Sequence, residues 1–294
     1  MNRVQADSTW ADLRRQACAW RTQEPLLGAW LDHLVLGQGS LAASLAQLLA
    51  DKLADGPGTD GIDRAALCDT LHSVFDDAPA TLAATRRDLA AVPERDPSTD
   101  EILTVFLFQK GFQALQAHRA AHRLWRAGRY ALAALLQSRA SEVFAVDIHP
   151  AARIGAGVFI DHATGVVIGA TAVVGDDVSM LQEVTLGGTG KEKGDRHPKI
   201  GNGVLLCAGA KVLGNIAIGE GARVGAGSVV LDAVKPFTTV VGVPACAVRA
   251  FEPPARRSLD AVSLDAVSLD ARSDPRSLDA LAFNAMSSAP IAIR

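Results

Sequence analysis

From Ile148 to Val230 aliphatic residues return every six positions, and no other feature of the chain narrows the choice of fold so sharply. One series runs Ile148, Ile154, Ile160, Ile168, Val174, Met180 and Leu186, the other Ile200, Leu206, Val212, Ile218, Val224 and Val230. Six residues advance an α-helix by about 600°, which leaves each anchor about 240° out of phase with the last, so a helix cannot gather them on one face. An antiparallel hairpin stack would need longer strands. Very short strands with a corner at every sixth residue do fit, and they stack the anchors into one interior column. Small or branched residues such as Ala152, Thr164, Ala172, Ala210, Ala222 and Ser228 follow four places after an anchor. Of the 26 glycines, 18 lie between Ile148 and Ala250, where corners need left-handed backbone. Aromatic content is 5%, with one tyrosine, because a narrow coil has room for Val, Ile and Ala but not for rings. The expectation is a left-handed parallel β-helix of hexapeptide repeats.

The remainder of the chain reads differently. Residues 1–145 carry helical spacing, as in Leu41, Leu45, Leu48 and Leu49, or Leu67, Leu71 and Val74. Ser98-Thr99-Asp100-Glu101 has the spacing of a capping box and predicts a helix start ahead of Ile102, Phe106, Phe112 and Leu115. Gly128 suits a stop before Tyr130–Phe144 resumes. After Ala250, Ser-Leu-Asp-Ala-Val repeats at period five, which drifts around a helix and builds no face. The fold class is therefore α+β: a helical N-terminal domain (1–145), a β-helix (146–250) and a flexible low-complexity tail (251–294).

Balanced charge, 29 Lys+Arg against 32 Asp+Glu, gives no field for nucleic acid or a membrane surface. No apolar run reaches the roughly 18–20 residues of a membrane span, and Met1–Arg15 lacks the apolar stretch of a secretory signal. Cys18, Cys68, Cys207 and Cys246 are far apart with no Cys-x-x-Cys pair, as in a reduced, cytoplasmic protein.

The chemistry should sit where the period breaks, because loops ejected from a rigid solenoid are where function gathers. The first break, between Ile160 and Ile168, holds Asp161-His162-Ala163-Thr164-Gly165. Asp147 lies fifteen residues before His162, close to one three-sided coil, so the repeat should bring a carboxylate beside the imidazole, the arrangement of a general base. The second break, Gly187 to Lys199, joins Gly187, Gly188, Gly190 and Gly194 to Lys191, Lys193, Arg196 and Lys199, backbone and charge that can meet phosphate or carboxylate. His118 and His122 are four apart on a helix, but Arg119 stands where a metalloprotease helix would carry Glu; a solvated or packed face is expected there.

These segments together resemble one family. Val146-Asp147-Ile148-His149-Pro150, Asp161-His162-Ala163-Thr164-Gly165, Thr185-Leu186-Gly187-Gly188-Thr189-Gly190, Gly194-Asp195-Arg196-His197-Pro198-Lys199-Ile200 and Gly242-Val243-Pro244-Ala245 are similar to serine O-acetyltransferases. The match runs from Phe112 to about Val248, and Arg95-Asp96-Pro97 extends it into the helical domain. The resemblance implies transfer of acetyl from acetyl-CoA, as co-substrate and without a metal, to the hydroxyl of L-serine, the first step from serine to cysteine. It implies that His162 is the general base and Asp147 its partner. It places Arg196, with His197 beside it, on the serine carboxylate and Asp96 and Asp161 on the ammonium group. Gly188, Thr189, Ala208 and Ala226 match positions along the acetyl donor, with the Gly188 N–H aimed at the developing oxyanion, a role worth about 3 kcal/mol.

A zwitterion needs both charges met, and no Cys or Ser lies in the two clusters, so direct transfer in a ternary complex is expected rather than an acyl-enzyme. The resemblance further implies a homotrimer or dimer of trimers with sites between chains, the helical domain joining trimers, and feedback inhibition by L-cysteine. Family members often end in isoleucine, which inserts into O-acetylserine sulfhydrylase; this chain ends Ile291-Ala292-Ile293-Arg294, a departure from that pattern. The alternatives are a hexapeptide-repeat O- or N-acyltransferase with another acceptor, a metal-dependent lyase of the γ-carbonic anhydrase kind using His149, His162 and His197, and a non-catalytic scaffold.

Overall fold

The computed structural model describes residues 3–55, 62–191 and 193–252. The expected tail and its five-residue repeats lie outside the described residues from position 253 onward, as does the terminal Ile293-Arg294. The helices are α1 (Arg3–Gln23), α2 (Gly28–Leu31), α3 (Leu41–Leu53), α4 (Arg64–Asp76), α5 (Pro79–Arg95), α6 (Ile102–Phe108), α7 (Lys110–Arg126) and α8 (Tyr130–Phe144). Local chemistry sets their starts: Ser40 Oγ accepts from Ala43 N ahead of α3, and the Asp63 carboxylate accepts from Ala65 and Ala66 N ahead of α4. Gly128, at φ +76°, turns the chain between α7 and α8. No helix among the described residues is long and apolar enough to cross a membrane.

The capping box does not form. Ahead of α6 the N-cap is Glu101, without a side-chain cap bond, because its carboxylate accepts the Trp20 indole N–H of α1 at 3.1 Å. The helix expected through Phe112 also breaks at Gln109, and Gln113 Nε2 donates to the freed carbonyls of Phe106 (3.0 Å) and Leu107 (2.8 Å). His118 is packed, not solvated: it is 5% exposed, its ring lies 5.9 Å from that of His122, and its Nδ1 has no partner among the described residues. Burial, with His122 and Arg119 beside it, holds the His118 pKa well below 6.5.

From Val146 the chain winds into stacked three-sided coils. The first has β1 (Val146–Ile148), β2 (Arg153–Ile154) and β3 (Phe159–Ile160); the second β4 (Val166–Ile168), β5 (Val173–Val174) and β6 (Ser179–Met180). The third has β7 (Thr185–Gly187), β8 (Lys199–Ile200) and β9 (Leu205–Leu206); the fourth β10 (Lys211–Leu213), β11 (Ala217–Ile218) and β12 (Arg223–Val224). A fifth is completed by β13 (Val229–Val230), the Ile218–Val234 bridge and β14 (Thr238–Gly242), and β15 (Ala245–Ala250) folds back antiparallel on β14. The result is three parallel faces: β1-β4-β7-β10-β13, β2-β5-β8-β11 and β3-β6-β9-β12-β14.

Every anchor of the six-residue series is buried except Ile154, which is half-buried. Along the first face Val146 pairs with Val166, Val167 with Thr185, Thr185 with Lys211 and Lys211 with Val229, steps of 20, 18, 26 and 18 residues. The two long steps contain the two breaks in period.

Helices α5, α7 and α8 cap the first coil. A β-carbon at Gly111 of α7 would overlap the Ile160 carbonyl oxygen, so only glycine allows this approach. The fully buried Asp88 carboxylate of α5 accepts from Arg119 Nε (2.7 Å) and Nη2 (2.9 Å), Gln116 Nε2 (3.0 Å) and Val158 N (3.1 Å). Arg119 also donates to the Gly155 carbonyl at 2.6 Å. Removing one partner of a buried, hydrogen-bonded ion pair leaves the other charge uncompensated. Arg119→Met should therefore lower unfolding stability by about 3–5 kcal/mol, read from denaturant midpoints, and Asp88→Leu in the same chain should recover part of that loss.

Candidate active site

The topology divides the expected site residues between two edges of the first face. One edge is the series of corners leading from the third face into the first; the other leads from the first into the second.

On the incoming edge β3 ends at Ile160, and the chain crosses to β4 through Asp161, His162 and Ala163, the last two at φ +53° and +61°. Two successive non-glycine residues in left-handed backbone carry strain of about 1–3 kcal/mol each, the kind that persists where surrounding structure enforces it. Here Gly165 N donates to Ala145 O (2.7 Å), Glu183 N donates to Thr164 O (2.8 Å), and Lys110, the first residue of α7, donates to Thr164 Oγ1. The corner therefore projects His162, its side chain 61% exposed, with Nε2 3.5 Å from Asp161 Oδ2.

Asp96 reaches the same place from the helical region. It is the C-cap of α5, with ψ 105°, and its Oδ1 accepts from Ser98 N at 2.9 Å. Burial pushes the Asp161 carboxyl above 3.8, with Asp96 adding to the rise and His162 opposing it. Among the described residues neither carboxylate has a lysine or arginine ion-pair partner; Asp161 has the His162 imidazole.

Among the described residues no hydrogen bond or ion pair joins Asp147 to His162. Asp147 stacks on Val167, five places beyond His162, because the insertion makes this coil twenty residues long rather than eighteen. Its Oδ1 instead accepts from Gln137 Nε2 of α8 at 2.7 Å. Further along this edge lie half-buried Ala208 and exposed Ala226, whose corners stack through Gly209 N to Gln182 O (2.9 Å) and Gly227 N to Ala208 O (2.8 Å).

The outgoing edge carries the long loop. A β-carbon at Gly188 would lie 3.2 Å from Cγ and Cδ of Arg196, so the arginine stem crosses directly over that glycine. Thr189 sits over the next corner, its Cγ2 3.4 Å from where a β-carbon at Gly214 would be. The returning limb is pinned to Thr171, whose hydroxyl accepts from Arg196 N (3.1 Å) and His197 N (3.2 Å), while Lys199 Nζ donates to Thr171 O at 2.9 Å.

His197 is 6% exposed, and its ring fills the space a β-carbon at Gly169 would take. Its Nδ1 accepts from Thr171 N at 3.2 Å, which puts the proton of the neutral ring on Nε2. Burial lowers its pKa, with Arg196 and Lys199 adding to the effect. The structure thus gives His197 a loop-anchoring position beside Arg196. Among the described residues of one chain no three His, Cys, Asp or Glu side chains converge as a metal site, His149, His162 and His197 included.

Gln137, Thr171, Lys110 and Arg95 escaped the sequence reading. Only Arg95 had a signal there, as part of Arg95-Asp96-Pro97; the others act through contacts that no spacing announces.

Residues 9–117 match the family described as Serine acetyltransferase, N-terminal, and residues 197–232 match Bacterial transferase hexapeptide (six repeats). A serine acetyltransferase of Salmonella typhimurium is 50% identical over 236 residues, 80% of this chain and 85% of that protein. Among solved structures, the Brucella abortus serine acetyltransferase in complex with coenzyme A superposes with a TM-score of 0.81 at 44% identity, covering 86% of this chain and 99% of that one. The soybean serine acetyltransferase complexed with serine gives 0.78 at 51% identity, covering 81% and 97%.

The electrostatics of Asp161 have a measurable cost. A carboxyl whose folded pKa is raised stabilises the fold fully below its unfolded value and loses that contribution as pH rises through the folded value, so ionised Asp161 destabilises the fold at neutral pH. Asp161→Asn should therefore have a higher Tm than the parent chain at pH 7, with the advantage shrinking as pH falls toward 3.8, measured by thermal melts across pH.

Proposed function

The chain belongs to the serine acetyltransferase family, and we propose that its two-edged first face is where acetyl-CoA and L-serine meet. The reaction moves the acetyl group of acetyl-CoA to the serine hydroxyl, giving O-acetyl-L-serine and CoA. The observation that carries the residue-level reading is the Asp96–Asp161–His162 cluster. It sets a second carboxylate within electrostatic reach of buried Asp161 beside an exposed imidazole, and an ammonium group between them would offset both the burial that raises Asp161 and the repulsion that Asp96 adds.

In this reading Asp96 and Asp161 hold the serine ammonium, Arg196 pairs with the carboxylate, and His197 keeps Arg196 in place from its buried seat. His162 Nε2 removes the hydroxyl proton as that oxygen attacks the thioester carbonyl; the C–S bond then breaks, and the thiolate of CoA leaves and takes up a proton. The imidazolium is stabilised by Asp161 in the conformation described, and by Asp147, aligned by Gln137, after rotation of the exposed ring. The Gly188 N–H serves the oxyanion, and Thr189, Ala208 and Ala226 line the acetyl donor. No nucleophilic Ser or Cys lies in either cluster, which favours direct transfer in a ternary complex.

The assembly follows from the same geometry. His162 and Arg196 sit on opposite edges of one face, so a complete site forms when the incoming edge of one chain meets the outgoing edge of a neighbour, as in a closed homotrimer. The helical part (1–145) offers a surface for joining trimers: Phe108, 55% exposed, stacks between Trp20 and Trp30, and Leu26 is 92% exposed. L-Cysteine carries the same ammonium and carboxylate as serine, which supports it as a competing feedback inhibitor. The partnership with O-acetylserine sulfhydrylase concerns terminal residues outside those described.

His162→Gln should lower kcat by about 10²–10⁴-fold while leaving Tm and oligomeric state unchanged. Steady-state assay of CoA release with serine checks this, and near-normal turnover would remove His162 from the reaction.

A further inference from the structure

Arg95 is absent from every role assigned above, yet it is the best-anchored side chain next to the site. It is the last residue of α5, 16% exposed, and all its hydrogen bonds go to the solenoid. Nη1 donates to Gly157 O (2.9 Å), Asp177 O (3.2 Å) and Ser179 Oγ (3.3 Å), and Nη2 donates to Asp177 Oδ1 (3.2 Å). These acceptors belong to the ladder that delivers Asp161. Phe159 of β3 pairs with Ser179 of β6, and two residues further on Asp161 N donates to Met180 O at 2.8 Å.

The next residue is Asp96. The helix ends there, with Asp96 N donating to Val92 O at 2.7 Å; Pro97 keeps the backbone extended, and Ser98 N fixes the carboxylate. Arg95 thus docks on the β3–β6 ladder that Asp161 directly follows, and Asp96 follows Arg95 directly.

We propose that Arg95 is a positioning residue for serine capture, holding the Asp96 carboxylate opposite Asp161 without touching the substrate. The proposal rests on reading Asp96 and Asp161 as the ammonium site. Docking of the helical part does not depend on Arg95. The Asp88–Arg119 pair joins α5 and α7 to the first coil, and Arg87 grips the same corner through Asp176 Oδ2 (3.2 Å) and Asp177 Oδ1 (2.9 Å). Arg87 lies nine residues from Asp96, so it provides a control in which a guanidinium–Asp177 contact is lost without moving the end of the helix.

The test uses the full-length chain with Arg95→Gln, Arg95→Lys, Arg87→Gln and Asp96→Asn, measuring kcat, KM for serine, KM for acetyl-CoA and Tm. Arg95→Gln should raise the serine KM about tenfold to a hundredfold with the acetyl-CoA KM nearly unchanged. Arg95→Lys should restore part of that loss, because a single ammonium can keep some of the contacts. Arg87→Gln should lower Tm and leave the serine KM alone.

If Asp96→Asn raises the serine KM and Arg95→Gln does not, the positioning role is overturned while the ammonium site stands. If Arg95→Gln merely repeats the Tm loss of Arg87→Gln, Arg95 is a structural latch and the proposal fails. If neither Arg95→Gln nor Asp96→Asn moves the serine KM, the ammonium site itself fails and the proposal goes with it.

Discussion

The buried Asp88–Arg119 pair closes the open end of the solenoid, and the active geometry follows from that closure. A stack of coils satisfies its own peptide groups everywhere except at its ends, where the first coil has no predecessor to pair with. Side chains from the helices stand in for the missing coil. Asp88 accepts from Val158 N; Arg119 donates to Ile154 O and Gly155 O; Arg95 donates to Gly157 O; and the His122 ring meets Pro150 O. The cost of burying the Asp88 and Arg119 charges is offset because each charge spends its remaining bonds on backbone that would otherwise be orphaned. At the far end the same need is met by backbone, with β15 turning back on β14 and the Phe237 and Phe251 rings meeting edge to face.

That closure makes the helical part a contributor to the chemistry as well as a cap. Asp161 comes from the first coil and Asp96 from the end of α5, so the two-carboxylate cluster exists only where the two regions are docked in register. The seam is tight enough to fix this register: Gly111 of α7 lies against the Ile160 carbonyl, one residue before Asp161. A shift of an ångström at the seam would move Asp96 relative to Asp161, and geometry at that scale governs capture of a small zwitterion.

The coil was legible in the sequence because its period is imposed by backbone repetition: each six-residue step must supply an interior aliphatic and a corner, whatever the rest of the chain does. The two breaks in period were legible for the same reason, and they hold His162 and Arg196. Other features depended on partners distant in sequence. Glu101 was free to complete a capping box until Trp20, eighty-one residues earlier, claimed its carboxylate. Fifteen residues between Asp147 and His162 approximated one coil, but the insertion that marks the site lengthened that coil to twenty residues, so that Asp147 pairs in register with Val167. The ring of His197, beside Arg196, fills a space left by Gly169, a contact with a residue twenty-eight places earlier that no spacing announces.

On the proposed reading, the two edges of the first face give one chain the parts of a site without completing it. Serine needs a cation for its carboxylate and anions for its ammonium, and the residues proposed for them lie on opposite edges here, Arg196 over Gly188 and Asp161 beside His162. Placing both on one edge would let Arg196 pair with Asp161, which would neutralise the charge that must stay available for substrate. Separating them across a face keeps Arg196 and Asp161 of one chain from pairing with each other. The raised Asp161 pKa and the left-handed backbone at His162 and Ala163 are what that arrangement costs the folded chain, and the docked helices supply the stability that keeps them in place.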